Sequence, residues 1–86
     1  MKRRLSISFE SDDDRCCASL YRRLLQLEAI QVLPKQWIVL TGLTADELRR
    51  DLQSYIDPAD RILITHVVSM SFRNLVNADR FGKGAA

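Results

Sequence analysis

Apolar and polar residues alternate with period two through Leu5-Ser6-Ile7-Ser8-Phe9, putting Leu5, Ile7 and Phe9 on one face and Arg4, Ser6, Ser8 and Glu10 on the other. This pattern predicts a first strand. Ser11 to Asp14 then offers an N-cap residue and three carboxylates, which the positive end of a helix dipole stabilises, so a helix is predicted to start there. Cys17, Leu20, Tyr21, Leu24 and Leu27 recur at helical spacing as far as about Glu28, with Arg15, Arg22, Arg23 and Gln26 towards water. Ile30 to Leu33 and Gln36 to Thr41 are short apolar runs rich in β-branched residues on either side of Pro34-Lys35, which reads as a hairpin. Thr44-Ala45-Asp46-Glu47 matches the capping box, in which the Thr hydroxyl and the Glu carboxylate satisfy each other's backbone donors at a helix start. Ala45, Leu48, Leu52, Tyr55 and Ile56 form the apolar stripe of this second helix, and Arg49, Arg50 and Asp51 its wet side. Asp57-Pro58 ends it, because a residue before proline avoids the helical region. Arg61 to Val68 is a predicted fourth strand and Ser71 to Val76 a short fifth, before a polar tail that frays.

The order strand, helix, strand, strand, helix, strand predicts an α+β domain, a ferredoxin-like βαββαβ sandwich with both helices on one face of an antiparallel sheet. It occupies residues 1–76, with a flexible tail over 77–86. Right-handed crossovers place the first and third strands in the centre and the second and fourth at the edges. Helices cover one face only, yet Ile62, Ile64 and Val68 alternate with Leu63 and Val67, and Trp37 and Val39 with Ile38 and Leu40. Both faces are therefore apolar. The expected solution is a homodimer through the open sheet face, with the C-terminal strand contributing to assembly. The alternative is a monomer whose C-terminal segment folds back over its own sheet.

Eighty-six residues suffice for one core, and 13 Lys plus Arg against 11 Asp plus Glu give a net charge of +2. That excess is too small to point to a nucleic-acid binder by itself. The longest apolar run, Trp37 to Leu40, is far short of the roughly 20 residues of a membrane helix. The basic start, Met1 to Arg4, lacks a following signal-peptide core, so a cytoplasmic protein without a membrane partner is expected. Cys16 and Cys17 are adjacent, and a bridge between neighbours strains its ring, so free apolar thiols are expected, with redox sensing as the alternative. With His66 as the one further soft ligand, structural zinc falls short of four donors.

Glu10, Asp12, Asp13 and Asp14 place four acids in five residues at the end of the first strand. Oxygen ligands suit Mg²⁺ or Mn²⁺, which in nucleases activate water and neutralise developing phosphoryl charge. Glu10 is the candidate catalytic residue, and Glu10, Asp12 and Asp13 are the candidate metal ligands. Helix capping is the competing role for the aspartates. Arg15, Arg22, Arg23, Arg49 and Arg50 are candidate phosphate contacts, against the plainer role of a solvated basic face. His66 reads as a sheet histidine before a general base, and Trp37 as core or interface before a stacking platform. Gly82-Lys83-Gly84 lacks the pattern and flanking elements of a phosphate loop.

Phe9-Glu10-Ser11-Asp12-Asp13, the basic Tyr21-Arg22-Arg23-Leu24-Leu25, the hairpin around Trp37-Ile38-Val39, and Asp60-Arg61-Ile62-Leu63-Ile64 together resemble the small CRISPR-associated ferredoxin-fold proteins that partner the spacer integrase. The chain is more similar to their stand-alone, SinR-like relatives, and more distantly to virulence-associated protein D. The resemblance runs from about Lys2 to Val68. It implies a homodimer, a C-terminal strand in the assembly, and in some members a metal-dependent ribonuclease or deoxyribonuclease. The family's metal-ligand aspartate follows an aromatic residue at the end of the first strand, where this chain has Phe9-Glu10. Glu is longer by one methylene, which shifts the ligand relative to a preorganised site.

Two functions from different classes follow. One is a Mg²⁺- or Mn²⁺-dependent endonuclease acting on RNA or DNA through Glu10. The other is a non-catalytic dimeric module that binds nucleic acid or a protein partner through sheet edges and basic helix faces. A small-ligand sensor of the ACT type shares the frame but lacks here the Gly-rich interface loop.

Overall fold

The computed structural model describes residues 2–11 and 17–77. Strand β1 spans Arg3–Glu10, helix α1 Ala18–Gln26, β2 Ile30–Leu33, β3 Gln36–Thr41, α2 Ala45–Leu52 and β4 Arg61–His66, with a single 3₁₀ turn at Gln53–Tyr55. The chain is α+β, with a four-stranded sheet in the order β2-β3-β1-β4. Every strand pair is antiparallel. This is compatible with the expected ferredoxin-like arrangement, with β1 and β3 central and β2 and β4 at the edges.

The period-two pattern of β1 sorts the layers. Leu5 and Ile7 are fully buried and Phe9 nearly so, and they share one cluster with Trp37 and Val39 of β3, Leu20 and Leu24 of α1, and Leu48 and Leu52 of α2. Both helices therefore pack on the same face. Trp37, expected as core or interface, is core: its ring lies 5.9 Å from that of Tyr21, which in turn meets Phe9 edge-on at 5.7 Å. Its Nε1 is buried without a hydrogen-bond partner, a cost of about 1–3 kcal/mol that the burial of the ring offsets.

The capping box forms as the sequence requires: Glu47 N donates to Thr44 Oγ1 at 3.1 Å and Thr44 N to Glu47 Oε1 at 2.9 Å. The start of α1 differs from expectation. The helix begins at Ala18, its N-cap residue Cys17 has a left-handed φ of 88° and no side-chain cap, and no acid stands in the first turn. Cys17 is disulfide-bonded, which corrects the expected free thiols. Helix α1 ends in a Schellman motif, with Ala29 N on Leu24 O at 2.9 Å and Glu28 N on Leu25 O at 3.0 Å. Glu28 takes the left-handed position of that motif at φ 61°.

No fifth strand is present among the described residues, and β4 stops at His66 rather than Val68. Val67 N still donates to Arg4 O at 2.9 Å, but the chain then leaves the ladder. At the far edge Val76 N donates to Val32 O and Asn77 Nδ2 to Gln31 O, both at 3.0 Å. Residues 68–75 thus travel from the β4 edge to the β2 edge, three strand spacings or roughly 14 Å. The face opposite the helices carries Ser6 and Ile38, each only 6% exposed, and Ser6 Oγ accepts a hydrogen bond from Gln36 Nε2 at 2.8 Å. Positive φ at Asn74 and Asn77 bends the segment, which a regular strand does not permit. The C-terminal segment bonds to its own sheet, as in the monomeric alternative.

Leu24 and Leu25 are sequence neighbours with 0% and 64% exposure. Leu24→Ala is expected to lower unfolding free energy by about 2–5 kcal/mol, and Leu25→Ala by less than about 0.5 kcal/mol, in chemical denaturation. Glu28→Gly is expected to raise stability by about 1 kcal/mol, because glycine occupies the left-handed position without the Cβ clash.

Candidate functional site

Glu10 is the last residue of β1, on the face that carries Ser6 and Ser8. The β1–β4 register sets it opposite Arg61. Arg61 Nη1 donates to Glu10 Oε1 at 3.0 Å, with both side chains largely exposed. No sequence pattern assigns Arg61 to the candidate site; pairing of two strands brings it, 51 residues away, to the candidate ligand. A shallow groove of about 270 Å³ lies here, lined by Ser8, Phe9, Glu10, Arg61, Ile62 and Leu63. It holds one carboxylate, already engaged by a cation. Among the described residues no group of three His, Cys, Asp or Glu side chains is placed to hold a metal. Asp12, Asp13 and Arg15 lie outside the described residues.

The candidate phosphate contacts separate into two kinds. Arg22 is exposed on α1. Arg23, expected towards water, instead reaches across to α2, where its Nε and Nη2 meet the two carboxylate oxygens of Asp51 at 3.0 and 2.7 Å. The pair is partly buried, and the Arg23 guanidinium lies 6.0 Å from the centre of the Tyr55 ring. The hydrogen bond to Asp51 holds the guanidinium above its ordinary pKa, with the charges of Asp51 and Tyr55 acting the same way against some desolvation. This forked contact joins the two helices and is structural.

Arg49 and Arg50 both bond to Asp46, each at 2.8 Å, through the helical spacings of three and four residues. Asp46 is held below the usual carboxylate range, first by its hydrogen bond from Arg49 and then by the charge of Arg50. Glu47 is lowered too, by the Thr44 backbone N–H and then the Thr44 side chain. Both depressed carboxylates favour the folded helix above their unfolded pKa, and that contribution disappears as pH falls through their folded values.

The described arginines, Arg22, Arg23, Arg49 and Arg50, therefore do not converge on Glu10. They belong to the helix layer, whereas Glu10 lies on the other face of the sheet. His66 stands exposed at the end of β4. No helix among the described residues is long and apolar enough to cross a membrane.

The forked Arg23–Asp51 contact predicts a ranking. Arg23→Ala is expected to lower the Tm measurably, while Arg22→Ala one position away leaves it unchanged within error; equal shifts would remove the bridging role. No protein-family model, curated protein or solved structure matches this chain.

Proposed function

We propose that this chain is a non-catalytic binding module, a small ferredoxin-like frame that acts by pairing with a protein partner. The observation that carries this reading is the engagement of Glu10 by Arg61 at 3.0 Å. A metal ion at this strand end would have to displace that guanidinium and would find a single carboxylate of the described residues there. Preorganised cation sites supply several oxygens at once. The basic helix face supports the same reading, since Arg23 is paired with Asp51 while Arg49 and Arg50 share Asp46. Two carboxylates offset two of these three positive charges before any phosphate approaches.

The resemblance to CRISPR-associated and SinR-like proteins is retained as a proposal about frame and assembly. The metal-dependent endonuclease is the second reading, and the exposure of Glu10 at the end of β1 is what favours it. It requires Mg²⁺ or Mn²⁺ to gather Glu10 with Asp12 and Asp13, or with the Glu10 of a second copy.

Cleavage of labelled single- and double-stranded RNA and DNA separates the two. With Mg²⁺ or Mn²⁺, wild type and Glu10→Gln are both expected to match the EDTA control. Metal-dependent cleavage that disappears in Glu10→Gln would overturn the non-catalytic reading. In parallel, nucleic-acid binding is expected to be weak and to vanish at physiological salt, as few uncompensated cations contact phosphate.

A further inference from the structure

We infer that the outer edge of β4 is the docking site for a second copy of this chain, which pairs antiparallel to it about a two-fold axis at Leu63; this names the partner of the binding module and rests on that reading.

The hydrogen-bond phase of β4 follows from one contact. Val67 N donates to Arg4 O, while Leu5 stands opposite His66. In an antiparallel ladder this turns the backbone groups of 61, 63, 65 and 67 towards β1, so those of Ile62, Ile64 and His66 point outward. No described backbone group meets them. The two edges of the sheet are thus treated differently. The β2 edge has a register irregularity between Gln31 and Leu33 and receives hydrogen bonds from Val76 and Asn77. The β4 edge is six residues of regular strand, Arg-Ile-Leu-Ile-Thr-His, with no proline, lysine or bulge to discourage pairing. Leu63 is 62% exposed in its middle.

Symmetry then restricts the register. A two-fold axis relating antiparallel edge strands runs perpendicular to the sheet, so residues facing one another share a face, and the axis passes through a residue pair. With the axis at Leu63, Ile62 and Ile64 exchange backbone hydrogen bonds with Ile64 and Ile62 of the second copy. Leu63 meets Leu63, Arg61 meets Thr65, and Asp60 meets His66. Every apolar side chain faces an apolar one, and an acid faces an imidazole. Moving the axis to Ile64 sets Leu63 against Thr65 and Arg61 against Val67; moving it to Ile62 sets Arg61 against Leu63 and Asp60 against Ile64. Both alternatives oppose charge to hydrocarbon, which cross-strand pairing disfavours. Beside the edge, a groove of about 340 Å³ between α2 and β4, lined by Ala45, Asp46, Arg49, Ile62, Leu63 and Ile64, leaves room for the neighbouring strand's side chains.

The test is self-association by sedimentation equilibrium across a concentration series, on wild type, Leu63→Lys, Leu63→Cys and Thr65→Cys, each first checked for native circular dichroism. Leu63 is a surface residue, so these changes spare the core. Wild type is expected to dimerise, and Leu63→Lys to weaken the dimer at least about tenfold by placing two like charges at the axis. Cα atoms of a non-hydrogen-bonded pair lie about 4.5 Å apart, within reach of a disulfide. Leu63→Cys should therefore cross-link under mild oxidation well beyond the wild-type control. Thr65→Cys should not, since two copies of residue 65 stand four positions apart, about 13 Å. A wild type that stays monomeric, or a dimer indifferent to Leu63→Lys with no Leu63→Cys cross-link, overturns the inference. Nuclease activity in an intact β4-paired dimer would instead overturn the non-catalytic reading and leave the pairing standing.

Discussion

Strand β1 is hydrogen-bonded along both edges, to β3 on one side and β4 on the other, and the rest of the structure takes its position from that double pairing. Its alternation of Leu5, Ile7 and Phe9 with Ser6, Ser8 and Glu10 leaves one choice of face. A slip of one residue would carry three large apolar side chains out of the core and bring a carboxylate in. Once β1 is set, Trp37 and Val39 fall on the helix side because they stand opposite Ile7 and Leu5. Ile62 and Ile64 follow because they stand opposite Phe9 and Ile7. The helices then close the layer through Leu20, Leu24, Leu48 and Leu52, all fully buried.

The same register that builds the core makes the ion pair at the end of the strand. Glu10 and Arg61 meet because β4 runs back along β1, and their carboxylate and guanidinium lie in water, where such a pair contributes at most about 1 kcal/mol. Its significance is chemical more than energetic, since it sets a guanidinium charge beside the carboxylate that a divalent ion would need. Arg23 and Asp51 present the contrasting case. Their contact is partly buried and forked, it spans two helices, and it removes from the surface a cation that periodicity alone assigns to water.

The open face and the two sheet edges show how a short chain distributes its unsatisfied backbone. The segment after β4 returns to β2 and supplies donors to Val32 and Gln31. Ile38 and Ser6 are nearly inaccessible on the face opposite the helices, while Leu40 and Leu63 remain exposed there. Among the described residues, no backbone group meets the outward donors and acceptors of β4. In a sheet whose other edge is covered, this asymmetry is the physical basis for expecting association at β4 rather than across the face.

Local patterning by itself determined the α+β class, both helices, the hairpin and the face that β1 buries. Alternation in Leu5 to Phe9, helical spacing in Leu20, Leu24, Leu48 and Leu52, and the capping box at Thr44 and Glu47 all act over a few residues. The start of α1 departs from the pattern: three aspartates, outside the described residues, resemble a dipole-stabilised helix start, whereas the helix begins at Ala18 after a left-handed Cys17. The fifth strand was misread for a related reason: Ser71 to Val76 has suitable composition, but Asn74 turns the chain and its backbone partner is the irregular β2. Of the candidate site, Glu10 was legible as an acid at a strand end, and its partner Arg61 was not. Pairing across 51 residues is decided by which strands lie side by side, and the contacts of Arg23 with Asp51 likewise depend on how two helices sit over one sheet. Only the tertiary structure decides such pairs, because they arise from register and packing between elements, whereas the elements themselves follow from periodicities carried within each segment.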